Sequence, residues 1–238
     1  KLEGIGWFTH ELLKRIVLNN PQHDFVFFFD RPYDASFIFG ANVKPVVLKP
    51  QARHPFLYHL WTEIAIPKAI KKHKIDVYFS PDGLGSTKKL KVPTILTIHD
   101  LAYLHYPQFM GKLDKWHYKK YYPQFAKQAD KIIAVSQFTK DDIVAQYQLE
   151  ASKIEVIYNG AHTHYHPLSY EEKLATKNEF SDGQEFFLFT GAIHPRKNII
   201  NLLKAFVKFK RRQNTQMKLL IVGRMAWQFK DIEEAKNF

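Results

Sequence analysis

Apolar residues along the chain follow two patterns, one typical of helices and one typical of buried strands. Between residues 5 and 18 they recur at positions 5, 8, 12, 13, 16 and 17, close to the repeat of a helix. Asn19, Asn20 and Pro21 predict the end of that helix. Further helices are predicted at 56–72, 113–128, 137–147, 170–180 and 198–212.

Short apolar runs without polar alternation separate these helices. The predicted strands are 25–29, 43–48, 76–80, 93–98, 131–135, 154–157, 186–190 and 218–222. Runs of this kind, each followed by a helix, are typical of parallel sheets covered on both faces, which predicts an α/β fold. The strands are too many for one small sheet. The turn at Asn159-Gly160 is the best boundary, so we expect two α/β domains, 1–160 and 161–238.

Both ends of the sequence lead us to expect that the domains extend beyond it. Gly4-Ile5-Gly6 resembles a turn that opens a helix, yet the strand that would feed such a turn is missing. The second domain has only two predicted strands, and a half-sheet of that size buries little apolar surface. We therefore expect a first domain without its initial strand and a second domain incomplete at its C-terminus.

Composition limits both the class of protein and the kinds of partner that it can bind. Of 238 residues, 45% are hydrophobic and 15% aromatic, which excludes a disordered chain. The absence of Cys excludes disulfides and thiolate metal sites. A formal charge of +12 favours a phosphate-bearing partner (nucleic acid, anionic lipid or a nucleotide), with a solvated Lys-rich surface as the alternative. No run approaches the roughly 18 apolar residues of a membrane span, and no signal peptide is evident, so we expect a cytoplasmic location.

The strongest candidate for a functional site is the segment 191–198, Gly-Ala-Ile-His-Pro-Arg-Lys-Asn, between a predicted strand and a predicted helix. In open parallel sheets, ligands bind at the carboxyl ends of strands, where this loop falls. Arg196 and Lys197 stand at the positive end of the helix dipole, which is unfavourable unless an anion bridges them and the helix N–H groups. This pattern predicts a phosphate or diphosphate site, with two solvated surface cations as the alternative.

The first domain carries weaker candidates at its own sheet edge. Gly4 and Gly6 permit close approach of a ligand to the backbone, although a plain turn explains them as well. His99 and Asp100 end the strand 93–98, where a His can meet a hydroxyl or transfer a proton, or simply cap a loop. Ser136 suits an N-cap of the helix that follows it.

Other catalytic or metal patterns are weak in this sequence. His162, His164 and His166 alternate, but no carboxylate or Cys nearby completes a ligand set, so we expect no metal site. No hydrolase nucleophile elbow and no phosphate-cradling Walker pattern is present.

Five segments, in this order and spacing, resemble the retaining glycosyltransferases of family 4, which have the GT-B fold. They are GIGWFTHEL, TILTIHDLAYLHYP, AVSQFTKDDI, IEVIYNGA and GAIHPRKNIINLLKAF, and they cover nearly all of the chain. The PRKN form is similar to a subgroup whose members often transfer mannose or related hexoses to growing polysaccharides.

The resemblance implies two Rossmann-like domains that face a cleft, with the acceptor on the first and the nucleotide-sugar donor mostly on the second. Arg196 and Lys197 match the basic pair that holds the donor diphosphate, and Gly4 and Gly6 match the loop that faces the phosphates. His99 matches a catalytic position near the transferred sugar. Asp100 and Ser136 are then candidate contacts of the acceptor or the sugar.

The implied chemistry retains the configuration at the sugar and requires neither cofactor nor metal. Positive charge at the diphosphate would stabilise the charge that develops as it leaves. The sequence departs from the family at Ala192, where many members carry Arg. The family's pair of Glu residues spaced eight apart would lie beyond Phe238, because Glu233 and Glu234 come too early, so this chain alone could lack activity.

We therefore expect a hexosyltransferase, mannose-like in its donor, that acts on a glycan or lipid-linked acceptor in bacterial polysaccharide or glycoconjugate assembly. The alternative is a non-catalytic fragment that binds a nucleotide or phosphosugar. A nucleic-acid-binding protein is disfavoured, since no recognised motif is present and the aromatic residues fall mainly at core-like positions. The basic stretch 112–127 leaves open a peripheral contact with an anionic membrane, with a core-packed helix as the alternative.

Overall fold

The computed structural model describes residues 4–162 and 165–224. By its internal contacts the chain divides into two compact units, Lys1–Gly160 and Ala161–Phe238. Each unit is an α/β structure in which all paired strands run parallel. The predicted fold class is therefore confirmed.

The first unit contains two parallel sheets and six α-helices among its described residues. Its elements are α1 (Gly4–Asn19), β1 (Phe25–Phe29), β2 (Val43–Val47), α2 (Pro55–Leu60), α3 (Ile66–Lys72), β3 (Tyr78–Ser80), β4 (Thr94–Ile98), α4 (Ala102–His105), α5 (Lys112–Gln128), β5 (Lys131–Ala134), α6 (Gln137–Tyr147) and β6 (Ile154–Val156). Strands β1 and β2 form one pair, and β3, β4, β5 and β6 form a four-stranded sheet in that order.

The core of the four-stranded sheet is a row of residues in register across it. Ser80, Leu96, Ile132 and Ile154 are neighbours on successive strands, and each is at most 3% exposed. Helix α5 covers this sheet with Phe125, which is 1% exposed. These apolar strand positions are buried on both sides, as the unbroken runs in the sequence predict.

The predicted helix 56–72 is interrupted in the structure. A π-helical turn, Trp61–Ala65, separates α2 from α3. Pro67 lies in the first turn of α3 and has no N–H to donate to the carbonyl four residues earlier, at Glu63. The missing bond accounts for a local π turn at this point.

The Glu63 side chain in that π turn anchors the loop after β3. Its Oε1 accepts a hydrogen bond from the backbone N–H of Thr87 at 2.6 Å, and its Oε2 accepts one from the Ser86 hydroxyl at 3.1 Å. The loop between β3 and β4 is thereby attached to the helical segment opposite it.

The second unit contains α7 (Tyr170–Ser181), β7 (Phe186–Thr190), α8 (Ile199–Gln213) and β8 (Lys218–Val222) among its described residues. Strands β7 and β8 pair in parallel over their full length, from Phe186 with Lys218 to Thr190 with Val222. Helix α7 begins with a complete capping box of Ser169 and Glu172.

Two expectations concern the surface of the first unit. Helix α5 buries His117, Phe125 and Ala126, so one face of the stretch 112–127 packs on the core, while contact of its basic outer face with a membrane stays a prediction. The expectation that aromatic residues lie mainly in the core is only partly correct, because Phe138, Tyr158 and others are more than half exposed. Within the described residues, no helix combines the length and apolar character needed to cross a bilayer.

Candidate functional site

The loop that follows β7 continues the parallel ladder beyond the strand. The N–H of Gly191 donates to the carbonyl of Val222, and the N–H of Ile193 donates to that of Arg224, both at 2.9 Å. Gly191 has a φ of 139°, which a residue with a side chain rarely adopts. A Cβ atom added to Gly223 would lie 2.6 Å from the carbonyl carbon of Gly191, so two backbones meet here without side chains.

Beyond this contact the chain makes a short 3₁₀ turn, Pro195–Lys197. His194 caps the turn, with its Nδ1 accepting from the N–H of Arg196 at 3.2 Å. Partial burial, and next to it the positive charge of Arg196, lower the pKa of His194, which favours the neutral acceptor ring. Asn198 closes the turn in the left-handed conformation, with a φ of 55°.

Arg196 and Lys197 therefore lie in the 3₁₀ turn, one residue before helix α8 rather than in its first turn. The predicted helix start at Asn198 is displaced to Ile199, which is 2% exposed, because Asn198 has left-handed dihedrals. Both basic residues are exposed at the carboxyl end of β7. The first turn of α8 contains no acidic residue that would neutralise them. This arrangement is suited to an anion, although the assignment of the pair to a diphosphate stays a prediction.

The two glycines predicted at the first sheet edge belong to a helix. Gly4 and Gly6 both lie in α1, so the expected Gly4-Ile5-Gly6 turn is helical in the structure. A Cβ atom added to Gly4 would meet no atom within 4 Å. The phosphate-facing role of these two glycines stays a prediction.

His99 is held at the end of β4 by three contacts. Its Nε2 lies 2.8 Å from the carbonyl oxygen of Pro81, so Nε2 donates, and in the neutral ring Nδ1 carries the lone pair. Phe8 meets the imidazole edge to face, with centroids 4.8 Å apart. The backbone carbonyl of His99 accepts from the Thr139 hydroxyl at 3.1 Å. The bond to Pro81 is the loop contact that the alternative interpretation expects, and the catalytic role remains a prediction.

The two remaining candidates at this edge both stabilise helix starts. Ser136 caps α6 by accepting from the N–H of Thr139 at 3.0 Å, so its predicted capping role is confirmed. Asp100 accepts from the N–H of Ala102 at 2.9 Å, at the start of α4. Contacts of either residue with a sugar or acceptor stay predictions.

The alternating histidines give no further support to a metal site. His162 has an edge-to-face contact with Tyr165, and His166 Nδ1 lies 3.2 Å from the carbonyl oxygen of Pro167. His164 lies outside the described residues, as do Glu233 and Glu234. Over 4–162 and 165–224, no group of three His, Cys, Asp or Glu side chains is arranged to hold a metal ion.

Sequence reasoning missed two charged residues that follow β1. Arg31 donates to Asp30 twice, from Nε at 2.8 Å and from Nη2 at 2.7 Å. Asp30 also accepts from the N–H of Ala52 at 3.1 Å. Burial opposes ionisation of Asp30, but these bonds outweigh it and lower its pKa.

A second missed group surrounds the end of β3. Asp82 accepts through Oδ1 from the Ser80 hydroxyl at 2.8 Å. The pKa of Tyr58 is raised by burial first and then by the negative charges of Asp30 and Asp82, which places Tyr58 near both strand ends. The position of an acidic residue just after a predicted strand is the signal that would have found Asp30 and Asp82.

Two protein-family models match this chain. The model of Glycosyltransferase Family 4 matches residues 2–165, and that of Glycosyl transferases group 1 matches residues 170–238. The chain belongs to glycosyltransferase family 4. The two matches together cover nearly all of this family 4 chain.

Curated relatives of this family 4 chain include two enzymes of O-antigen synthesis. O-antigen chain mannosyltransferase B of Escherichia coli is 24% identical over 242 residues, which cover 95% of this chain and 62% of that protein. O-antigen chain mannosyltransferase RfbU of Salmonella typhimurium is 28% identical over 130 residues, 53% of this chain and 31% of that protein. The chain thus spans less than two thirds of the length of either relative.

Solved structures of similar fold are glycosyltransferases. Anabaena Alr3699/HepE, solved in complex with UDP and glucose, has a TM-score of 0.64 at 14% identity, over 100% of this chain and 62% of that one. A glycosyltransferase from Rickettsia africae ESF-5 has a TM-score of 0.57 at 17% identity, over 96% of this chain and 59% of that one. These similarities support the GT-B fold class.

Proposed function

We propose that this family 4 protein transfers a hexose, with retention, from a nucleotide-diphosphate sugar to a glycan or lipid-linked acceptor in polysaccharide or glycoconjugate biosynthesis. The observation that carries the proposal is the exposed pair Arg196 and Lys197 at the carboxyl end of β7, in a chain whose family is established. We further propose that the reaction requires no metal or cofactor, so that turnover persists in excess chelator.

The pair suits a diphosphate because two adjacent cationic side chains extend from one short turn. The His194 cap and the left-handed Asn198 fix the backbone of the turn on either side of the two residues. A leaving diphosphate gains negative charge in the transition state, and preorganised cations stabilise that charge. Charge-assisted hydrogen bonds contribute roughly 1.5–3 kcal/mol each, so the pair would supply a substantial part of donor binding.

His99 is the proposed catalytic residue of the first unit. The bond from Nε2 to the Pro81 carbonyl fixes the tautomer of the neutral ring. Nδ1 and the backbone of the β4 end then form a polar edge on which a sugar hydroxyl can be oriented. His99→Asn, which retains an amide donor for Pro81, should lower kcat more than it weakens donor binding.

A mannose-like donor is proposed from the names of the two O-antigen relatives, which are mannosyltransferases. HepE was solved with UDP and glucose, so the base and the sugar of the donor should be tested with a panel of nucleotide sugars. Thermal shift of the full-length protein with UDP-, GDP- and ADP-sugars should identify the donor by the largest stabilisation. Turnover of that donor would exclude a protein that only binds nucleotides.

The decisive experiment replaces Arg196 and Lys197 together by Ala and measures nucleoside diphosphate binding by calorimetry. We expect affinity to fall at least about a hundredfold, because two charge-assisted contacts are lost. The matched control replaces Arg211 and Arg212, which lie in the last turn of α8, and should bind nearly as well as the native protein. Unchanged affinity in the 196/197 variant would show that the diphosphate site lies elsewhere.

We also propose a peripheral contact with an anionic membrane through the outer face of α5. Leu113 and Trp116 are 60% and 52% exposed, and the Lys120 ammonium lies 4.9 Å from the centroid of Trp116. Apolar side chains beside lysines suit the boundary between lipid headgroups and acyl chains.

Co-sedimentation with vesicles tests this contact. Binding should require phosphatidylglycerol and should weaken in Trp116→Ser. The control is Trp7→Ser, because Trp7 is equally exposed, at 51%, but belongs to α1. Equal binding by the two variants, or binding to pure phosphatidylcholine, would contradict the proposal.

A further inference from the structure

One acidic and three tyrosine side chains of the first unit lie near the end of β3. Asp82 follows β3 by two residues, Tyr58 belongs to α2, and Tyr118 and Tyr122 belong to α5. The rings of Tyr118 and Tyr122 are stacked, with centroids 4.3 Å apart. We call these four residues the tyrosine–Asp82 cluster.

The backbone after β3 brings Asp82 to the tyrosine rings. Gly83 has a φ of 77°, and a Cβ atom added there would lie 3.7 Å from Cε1 of Tyr122. The residue next to Asp82 therefore packs directly on that ring. Asp82 itself is exposed, and its Oδ1 accepts from the Ser80 hydroxyl and from the N–H of Leu84.

The charge of this region differs from that of the chain as a whole. The Arg31 guanidinium next to Tyr58 is engaged by Asp30 in a two-bond pair, so these two charges cancel. Asp82 then contributes a net negative charge, in a chain with a formal charge of +12. A carboxylate accepts hydrogen bonds from hydroxyl groups but repels a phosphate. The cluster thus favours an uncharged, hydroxyl-rich ligand over an anionic one.

The tyrosines complement this preference. Burial, followed by the neighbouring Tyr118 and the charge of Asp82, raises the pKa of Tyr122 well above its ordinary value. Its phenol therefore stays protonated over a wider pH range than that of an ordinary tyrosine, and it hydrogen-bonds with Tyr118. Tyrosine rings offer an apolar face beside a polar hydroxyl, which suits a molecule with both C–H faces and hydroxyl groups.

A buried polar group beside the cluster gives an independent indication. His117 is 4% exposed, and its ring is near those of Tyr58 and Tyr118, with centroids 6.3 and 6.2 Å away. Among the described residues, its Nδ1 has no hydrogen-bond partner. Buried nitrogen atoms normally have one, so a polar molecule that reaches between these rings would satisfy it.

We infer that the tyrosine–Asp82 cluster is a binding subsite for an uncharged saccharide, the sugar end of the acceptor. The inference rests on the proposed transferase function, because it assigns the acceptor chemistry of that reaction to residues of the first unit. Asp82 would accept from a sugar hydroxyl, while Tyr118 and Tyr58 would line the subsite and determine which sugar fits.

The test measures binding of methyl α-mannoside and α-mannobiose to the full-length protein by saturation-transfer NMR and titration. Asp82→Asn should weaken saccharide binding about tenfold, the loss of one hydrogen bond to a charged group. Asn keeps an oxygen for Ser80 and Leu84, so the turn should survive. The matched control is Asp76→Asn, because Asp76 is also exposed and precedes the same strand by two residues.

Four results would overturn the inference, the first three of them from the binding measurements. In the first, Asp82→Asn binds the saccharide as tightly as the native protein does. In the second, Asp76→Asn loses as much saccharide affinity as Asp82→Asn. In the third, the native protein gives no saccharide signal. Competition by pyrophosphate for the saccharide signal would also overturn it, since the subsite should exclude anions. Tyr118→Phe, which keeps the ring, should change the preference between mannoside and glucoside.

The same measurements separate this inference from the proposed donor site. The Arg196/Lys197 double Ala variant should lose nucleoside diphosphate binding and keep saccharide binding. Retained nucleotide binding in that variant would refute the donor site alone. Unchanged saccharide affinity in Asp82→Asn would refute the saccharide subsite alone.

Discussion

The meeting of Gly191 and Gly223 supports a quantitative prediction for Gly223→Ala. The added Cβ atom would lie 2.6 Å from the Gly191 carbonyl carbon, whereas nonbonded carbon atoms approach to about 3.5 Å. The Gly191 carbonyl oxygen would lie closer still, so the backbones must separate by more than roughly 1 Å. Because both partners are main chain, no side chain can turn away to relieve the clash.

The separation would break the ladder on both sides of Gly223. The bonds from Gly191 to Val222 and from Ile193 to Arg224 are each 2.9 Å long and would lengthen beyond the usual range. Loss of two such bonds together with the overpacking predicts a destabilisation of the second unit of about 2–5 kcal/mol. The 191–198 loop would shift with the strand end.

Amide hydrogen exchange measures this effect at the site itself. The Gly191 and Ile193 amides should exchange much faster in Gly223→Ala, denaturant unfolding of the second unit should begin earlier, and nucleoside diphosphate binding should weaken. Gly160→Ala is the control, since its added Cβ would meet no atom within 4 Å. Unchanged protection of both amides, with unfolding within about 0.5 kcal/mol of the native protein, would refute the steric argument.

Three further predictions concern the first unit. Ile132→Ala should lower the free energy of unfolding by about 2–5 kcal/mol in a denaturant titration, because Ile132 is fully buried, while Leu113→Ala, at an exposed site, should change it little. Ser136→Ala should destabilise by about 1 kcal/mol through loss of the α6 cap, and Ser136→Asp should restore it. The Lys89 ammonium lowers the pKa of Asp130, so this pair should stabilise the protein above the carboxyl's ordinary pKa of 3.8. That contribution to stability should be lost as the pH falls through the lowered pKa of Asp130 in the folded protein. The stability of Asp130→Asn, measured by acid unfolding, should not show this loss.

The helices and strands were predictable because their residues repeat with the period of the element they form. The run from Phe25 to Phe29 is a strand in the structure over the predicted residues, and α6 extends over 137–147 as predicted. The largest departure is the helix 56–72, where Pro67 removes a backbone donor and produces a π turn. The proline was visible in the sequence, but the form of the interruption depends on how the buried Trp61 and Thr62 pack.

The candidate site was predictable only where it is local in sequence. Arg196 and Lys197 are adjacent residues in a loop between a strand and a helix, so their place at the strand's carboxyl end followed from the pattern. Tyr58 and Tyr118 are sixty positions apart and come together because α2 packs on α5, which no periodicity reveals. Asp82 was accessible to sequence reasoning, but its neighbours were not.

The hydrogen bonds of Glu63 to the loop after β3 couple the position of that loop to the helical segment. Tyr58 and Glu63 are on the same continuous helical stretch, and Glu63 fixes Thr87, on the loop that also contains Pro81 and Asp82. A displacement of the stretch would carry that loop with it, and through Pro81 the imidazole of His99. A saccharide would then meet groups already held at fixed separations, with little ordering left to oppose its association.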